Sequence, residues 1–357
     1  VPSDADRAEP VDAVDAVDEL TAAIDGAGGA LRFDAFMTTA LYGRHGFYTG
    51  AGRAGRRSGD FLTSPEVGPL FGAVLAAWID AEHRRLGRPG SFEVVEVGAG
   101  PGTLARSVLA HWRDGDGTPH PYTAVEASAS QRAGHPDGVT SLAAVPDRPI
   151  TGVVVANELL DNLPFRLLVF DGGWREAHVV AAGRGFAEVL LPIADPPPWL
   201  PPVAPHGARV PWQEPAARWV EQTLTRLTAG RLLVVDYATA RTAELARRPW
   251  RDWLRTYRGH DRGGHYLSAP GEQDITAEVA LDQLPAPDEV RTQAQFLQRW
   301  GIDVLVDEGR RVWEASAAAP TVAAMVMRSR VREAEALLDP AGLGAFVTCE
   351  WVRPAPS

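Results

Sequence analysis

The sequence predicts a doubly wound α/β sheet with an N-terminal cap and an inserted antiparallel meander, on three observations. Short continuous apolar runs at 92–97, 122–126 and 153–156 alternate with helix-like segments, as buried parallel strands do. The first of these runs leads directly into Gly98-Ala99-Gly100-Pro101-Gly102, and a helix is expected to open near Thr103. A separate block, residues 166–193, has hairpin patterning around Asp171-Gly172-Gly173 and reads as the inserted meander.

The rest of the chain follows that plan. Residues 1–20 read as an acidic tail leading into a helix, and 21–90 as a helical cap and lid with a glycine-rich stretch from Gly43 to Gly59. Residues 91–165 and 230–357 are expected to form the core, and 166–229 the insertion. Within the insertion, Pro192 to Pro215 looks too proline-dense for regular structure. A helix is expected over 216–227 and a strongly apolar strand over 231–236. The stretch from there to Pro287 reads as irregular. Helices over 292–300 and 322–338 and a last strand over 344–352 complete the chain.

Composition excludes several functions. The chain has 357 residues, 45% hydrophobic and 23% charged, the make-up of a folded globular protein. One cysteine, Cys349, rules out an internal disulfide framework and multi-cysteine metal sites. Every basic side chain other than histidine is arginine, so Schiff-base and P-loop lysine chemistry are unavailable. A formal net charge of −11 argues against nucleic acid as the main partner. No apolar run is long enough to span a bilayer, and no targeting segment is evident, so a cytoplasmic location is expected. His260 and His265 lack a third ligand at usable spacing, and no metal is expected.

The glycine loop carries the strongest signal. A dinucleotide fingerprint would need its last glycine at Thr103; the spacing here is Gly98, Gly100, Gly102, with Glu96 two residues ahead. That pattern resembles motif I of class I methyltransferases, whose ligand is the sulfonium S-adenosylmethionine. An acid beside the loop suits a cationic ligand and would repel a pyrophosphate. Glu126, ending the next apolar run, is placed to accept both ribose hydroxyls, or alternatively to cap the helix that follows. After the run 153–156 come Asn157, Glu158 and Asp161, at the sheet edge where substrates of open α/β sheets sit. One helical turn would put the carboxylates of Glu158 and Asp161 on one face, suited to a charged nitrogen nucleophile; Asn157 could instead cap a short helix.

Longer segments extend the resemblance. FMTTALYGRHGFYTG (36–50), GDFLTSPEVGPLFG (59–72), VEVGAGPGTLARSVL (95–109), VVVANELLDNLP (153–164), LLVVDY (232–237), WLRTYRGH (253–260), PGEQDITAEV (270–279) and TQAQFLQRWGI (292–302) are similar to the MidA-like methyltransferases. The mitochondrial members of that family are complex I assembly factors that methylate a protein arginine. The resemblance implies a Rossmann-like class I methyltransferase sheet with cofactor on Gly98, Gly100, Gly102 and Glu126. It also implies a cap made of Asp60, Phe61, Thr63, Ser64 and Pro65, and an acceptor side made of Asn157, Glu158 and Asp161. Asp274 reads as a helix cap, and the resemblance makes it a candidate site wall. Three segments depart from the family pattern: Leu159-Leu160 stand where the family has phenylalanines, Ala238 where it has glycine, and Glu278-Val279-Ala280-Leu281 where it has His-Val-Asp-Phe. The acceptor is expected to be a protein arginine; a small metabolite or modified peptide, and a scaffold role that keeps only the cofactor fold, are the alternatives.

Overall fold

The computed structural model describes residues 11–49, 63–114, 119–258, 261–319 and 321–355. Two compact units emerge: residues 1–60, 162–216 and 239–283 form one, and 61–161, 217–238 and 284–357 the other. The second unit contains the doubly wound sheet. Its strands are β1 (Glu93–Val97), β2 (Tyr122–Val125), β3 (Val139–Leu142), β4 (Ile150–Asn157), β5 (Leu227–Asp236), β6 (Glu289–Thr292) and β7 (Val347–Arg353). Their order is β3-β2-β1-β4-β5-β7-β6. The first five run parallel, and β7 and β6 each pair antiparallel to their neighbour. The continuous Val runs of β1 and β4 are buried on both faces, which is why they lack polar alternation.

Helices cover the sheet. In α1 (Pro69–Arg85), Leu70, Phe71, Val74, Leu75, Trp78 and Ile79 are buried. Its first turn is tied down by Glu333, whose carboxylate accepts the Leu70 N–H at 2.8 Å and sits favourably at the positive end of the helix. Trp78, wholly buried, donates its indole N–H to Glu350 at 3.2 Å, and Arg231 holds the same carboxylate at 2.8 Å. The indole is thereby both packed and satisfied. Helix α2 (Thr103–Asp114) follows the glycine loop; α3 (Gln293–Arg299), α4 (Ile302–Ser316) and α5 (Val322–Leu338) close the unit.

The first unit is built on an antiparallel sheet. Arg166–Phe170 pairs with Trp174–Ala182 through the Asp171–Gly173 turn, and Trp174–Ala182 pairs in turn with Gly185–Pro192. Leu31–Arg32 and Arg209–Trp212 add to it. Phe33 contacts Phe165 and Tyr266 at ring-centroid distances of 5.4 and 5.1 Å, the centre of a separate aromatic core.

The expected segmentation shifts accordingly. Residues 63–90 lie in the unit of the parallel sheet, while 239–283, expected within the core, lie in the antiparallel unit. The proline-rich segment contains the strand Arg209–Trp212, in which Pro211 stands opposite Leu167. The stretch after β5 is not irregular: Leu254–Arg258 pairs with Asp274–Ala277. Asp274 therefore opens a strand and is no helix cap; its Oδ1 accepts the N–H of Ile275 at 2.9 Å.

Candidate active site

Chain order reverses between β1 and β4, so the carboxyl ends of these two adjacent strands form the topological switch point of the sheet. Val97 stands beside Ala156, and the next residues on each strand are Gly98 and Asn157. The glycine loop and the acid cluster, 59 residues apart in sequence, thus meet at one edge. Leu159 Cδ1 would lie 3.1 Å from a Cβ built on Gly98. The leucine standing where the family has phenylalanine therefore packs against the loop.

Gly98, Gly100 and Gly102 have φ of 75°, 55° and 80°, a left-handed path that a side chain would strain at each position. A Cβ on Gly100 would meet only the side-chain oxygen of Gln131, at 3.1 Å, so the space above it is available to a ligand. Glu126 anchors this loop: one carboxylate oxygen accepts the Gly100 N–H at 3.0 Å and the other the Ser128 N–H at 2.8 Å. Each oxygen keeps a lone pair, so this geometry leaves the carboxylate able to accept a ligand hydroxyl as well. Glu96 is buried and accepts the Tyr122 hydroxyl at 2.8 Å. Burial raises its pKa to about 8, Tyr122 opposes the shift, and Glu126 adds to it. A glycine cradle flanked by two carboxylates and no lysine fits a cationic amino-acid nucleoside and not a pyrophosphate.

At the end of β4, Glu158 has φ 51°, a strained setting for a non-glycine residue, held by its N–H donating to the Val235 carbonyl at 2.8 Å. The Asn157 amide donates to Glu158 Oε1 at 3.1 Å. Asp161 is buried in the short turn Leu160–Asn162. Because that turn starts after Glu158, no shared helical face joins the two carboxylates. Asp236, at the end of β5, does the organising: it accepts N–H groups of Leu160 at 2.9 Å, Asp161 at 3.2 Å and Tyr237 at 2.9 Å. Burial and the neighbouring Glu158 raise its pKa, against those three donors. The sequence reading did not single out Asp236. Its position at the end of the apolar run 231–236 was the available signal.

The cap residues are placed as follows. Thr63 and Glu66 form a capping box on Ser64–Val67, and Ser64, wholly buried, donates to Gln293 at 2.8 Å. Pro65 is buried beside it. Asp60 and Phe61 lie outside the described residues, as do His260 and part of the expected lid. In the antiparallel unit, the Tyr48 hydroxyl lies 2.9 Å from the Asp274 carboxylate, to which it donates, and 3.1 Å from the Asn162 side-chain amide. Glu278, the position where the family has histidine, pairs with Arg248 at 2.8 Å and Arg255 at 3.2 Å. Among the described residues, no cluster of His, Cys, Asp or Glu suits a metal ion, and no helix is long and apolar enough to cross a membrane.

A family model of S-adenosyl-L-methionine-dependent methyltransferases matches residues 74–298. The chain belongs to that family. The methyltransferase resembles the mitochondrial protein arginine methyltransferase NDUFAF7 homologs of Drosophila melanogaster and Caenorhabditis elegans. The first is 51% identical over 53 residues, only 15% of this chain and 12% of that protein. The second is 25% identical over 318 residues, 75% of this chain and 71% of that protein. A crystal structure of a Burkholderia thailandensis protein bound to S-adenosyl-homocysteine superposes with a TM-score of 0.80 at 26% identity, covering 100% of this chain and 96% of that one. The fold class, the MidA-like membership and the S-adenosylmethionine cofactor expected from the motifs are all upheld. The cytoplasmic location is corrected: the curated relatives are named as mitochondrial.

Proposed function

We propose that this methyltransferase acts on a nitrogen acceptor, a protein arginine, held at the carboxyl edge of β4 and β5. One observation carries the reading. Asn157 Oδ1 is buried with no hydrogen-bond partner among the described residues, while its amide nitrogen is committed to Glu158. An acceptor atom left in that state costs about 1–3 kcal/mol, so the site favours a ligand bearing N–H donors. The adjacent Glu158 carboxylate, whose charge helps to raise the pKa of Asp236, favours a ligand that is also cationic. A guanidinium answers both, with five donors and a fixed charge. The naming of the relatives as protein arginine methyltransferases supports the same acceptor.

At the loop, S-adenosylmethionine would supply an electrophilic methyl group to the acceptor nitrogen, with S-adenosyl-homocysteine as the leaving group. Gly98, Gly100, Gly102, Glu96 and Glu126 would hold that cofactor, while Ser64 and Pro65, buried behind Thr63, brace the cap segment against α3. Glu158 positions the guanidinium and accepts the proton its nitrogen loses; Asn157 orients Glu158 and takes one N–H of the acceptor. Asp161 lies in the turn that Asp236 fastens beside Glu158. The test is product analysis: a radiolabelled methyl group should appear on guanidinium nitrogen when arginine-containing peptides are supplied. Label on oxygen or carbon would exclude the reading and leave a small-molecule acceptor in its place.

The raised pKa of Glu96 gives a second expectation. In the free protein its carboxyl is protonated at neutral pH, and a cationic ligand favours its ionised form, so binding releases a proton. Affinity for S-adenosyl-homocysteine, which keeps the ammonium group, should rise with pH between 6 and 7.5 by up to about tenfold per unit. Calorimetry at several pH values checks this, and Glu96→Gln should flatten the profile. A flat profile in the wild type would remove Glu96 from the cofactor site.

A further inference from the structure

Within the unit of the parallel sheet, the chain between β2 and β3 folds back onto the glycine loop. The short helix Ala129–Arg132 follows Glu126, and the N–H groups of Gly134 and His135 close its end, donating to the Gln131 and Arg132 carbonyls at 2.9 and 3.1 Å. Arg132 ties this helix to the end of β2 through the carbonyls of Glu126 and Ala127, at 2.6 and 2.7 Å. From the other side, Arg106 of α2 holds the Gly134 carbonyl at 2.7 Å. Residues 134–136 are thereby pressed against the loop. A Cβ built on Gly102 would stand 2.9 Å from Pro136 and 3.2 Å from the His135 ring, so the bare backbone there makes room for protein.

His135 is the side chain of this segment that reaches the loop backbone. Its Nε2 lies 2.9 Å from the Gly100 carbonyl, and its Nδ1 lies 2.8 Å from the Ser141 hydroxyl on β3. A carbonyl oxygen only accepts, so Nε2 carries the hydrogen. In the neutral ring Nδ1 is then an acceptor, and the Ser141 hydroxyl donates to it. Ser141 thus favours the tautomer that serves Gly100. Glu126 holds the other side of the same residue, accepting the Gly100 N–H at 3.0 Å. At φ 55°, Gly100 occupies a conformation that glycine enters and leaves readily. One bond on its N–H and one on its C=O fix both adjoining peptide planes. Both imidazole nitrogens are spent in this arrangement, so the ring acts on a ligand only through the loop.

We propose that His135 is a positioning residue for the cofactor, and that Ser141 keeps it in the working tautomer. The pair holds Gly100 in the shape that receives S-adenosylmethionine, so that binding does not have to order a flexible glycine. The inference rests on the reading that Gly98, Gly100 and Gly102 seat the cofactor, and it is independent of the acceptor.

Calorimetric titration of the whole protein with S-adenosyl-homocysteine tests it. His135→Phe keeps an aromatic ring and loses the donor, and affinity should fall about five- to tenfold, the upper part of the range for one hydrogen bond. His135→Gln, whose side-chain N–H can reach the same carbonyl, should return affinity to within about twofold of wild type. Ser141→Ala removes one exposed hydroxyl and should cost about two- to threefold, because the ring hydrogen is then free to move to Nδ1. In the His135→Phe background the same change should cost nothing, since no ring nitrogen is left for the hydroxyl to serve. Wild-type affinity in His135→Phe would overturn the assignment. So would a Gln variant as weak as the Phe one, or a Ser141→Ala loss that is equal with and without His135, because the ring would then merely fill space. Should His135→Phe not fold, the other two single variants decide: unchanged affinity in Ser141→Ala, or a tenfold loss in His135→Gln, overturns the assignment. Gly100→Val separates this inference from the reading beneath it. Unchanged affinity there removes the cofactor site itself, whereas a loss there with none in His135→Phe removes only the role of His135.

Discussion

Glu158→Gln is expected to lower kcat by about 100- to 1,000-fold, the span of general-base contributions, with a much smaller rise in acceptor KM. The amide keeps the volume and one hydrogen-bond acceptor, so the strained backbone at φ 51° is no worse off and the variant should fold. What it loses is the site that takes the proton, and the charge paired with the guanidinium. The ground state loses part of that interaction; the proton-accepting step loses more. Cofactor affinity should stay near wild type, because Glu126 and the glycine loop are on different strands. Steady-state kinetics with the arginine-centred peptides decide the matter. Full turnover in the variant would take Glu158 out of the mechanism.

Gly100→Val should weaken S-adenosyl-homocysteine binding by about 100-fold or more, since two tenfold steps equal about 2.8 kcal/mol and the side chain would occupy the ligand's space. A β-branched residue at φ 55° also carries strain, so some loss of thermal stability accompanies the change. Gly138→Val separates the two effects. Gly138 has φ 88°, and a Cβ there meets nothing within 4 Å. The control should lose a similar few degrees of Tm and keep its cofactor affinity. Equal affinity loss in both variants would mean that strain, and not occupation of the cofactor space, is responsible.

The parallel sheet was legible because its strands are unbroken β-branched runs ending in glycine or an acid. β1 and β2 fall within one residue of the reading at either end, and the helix at 322–338 coincides with it. Other elements were hidden by local signals. Pro211 argued against the strand Arg209–Trp212, but the strand lies at the end of its sheet, where a missing N–H can face away from the ladder. Gly309 and the exposed Val304 obscured the apolar stripe of α4, where Ile302, Val306 and Gly309 itself are the buried positions. Leu254–Arg258 alternates Arg with Leu, Thr and Tyr and gave no clear apolar run; its partner Asp274–Ala277 is what makes it a strand.

At the site, the residue types were readable and their arrangement was not. Spacing suggested that Glu158 and Asp161 share a helical face; instead a left-handed residue precedes a tight turn, and only the backbone shows it. Asp236 was overlooked because its work is done through the N–H groups of residues 75 and 76 positions earlier in the chain. Ser64 shows the reverse case. A motif residue expected at the cofactor has its hydroxyl engaged by Gln293, which fastens Ser64–Val67 to α3.

The central claim, that Gly98–Gly102 and Glu126 form an S-adenosylmethionine site and not a dinucleotide site, is tested most directly by calorimetric titration. S-adenosyl-homocysteine and NAD would each be titrated into the wild type and into Glu126→Ala. The account predicts one S-adenosyl-homocysteine site per chain, weakened about tenfold or more in Glu126→Ala by loss of charge-assisted hydrogen bonds, and no measurable NAD binding to either protein. Unchanged S-adenosyl-homocysteine affinity in Glu126→Ala, or NAD binding of comparable strength in the wild type, would contradict it.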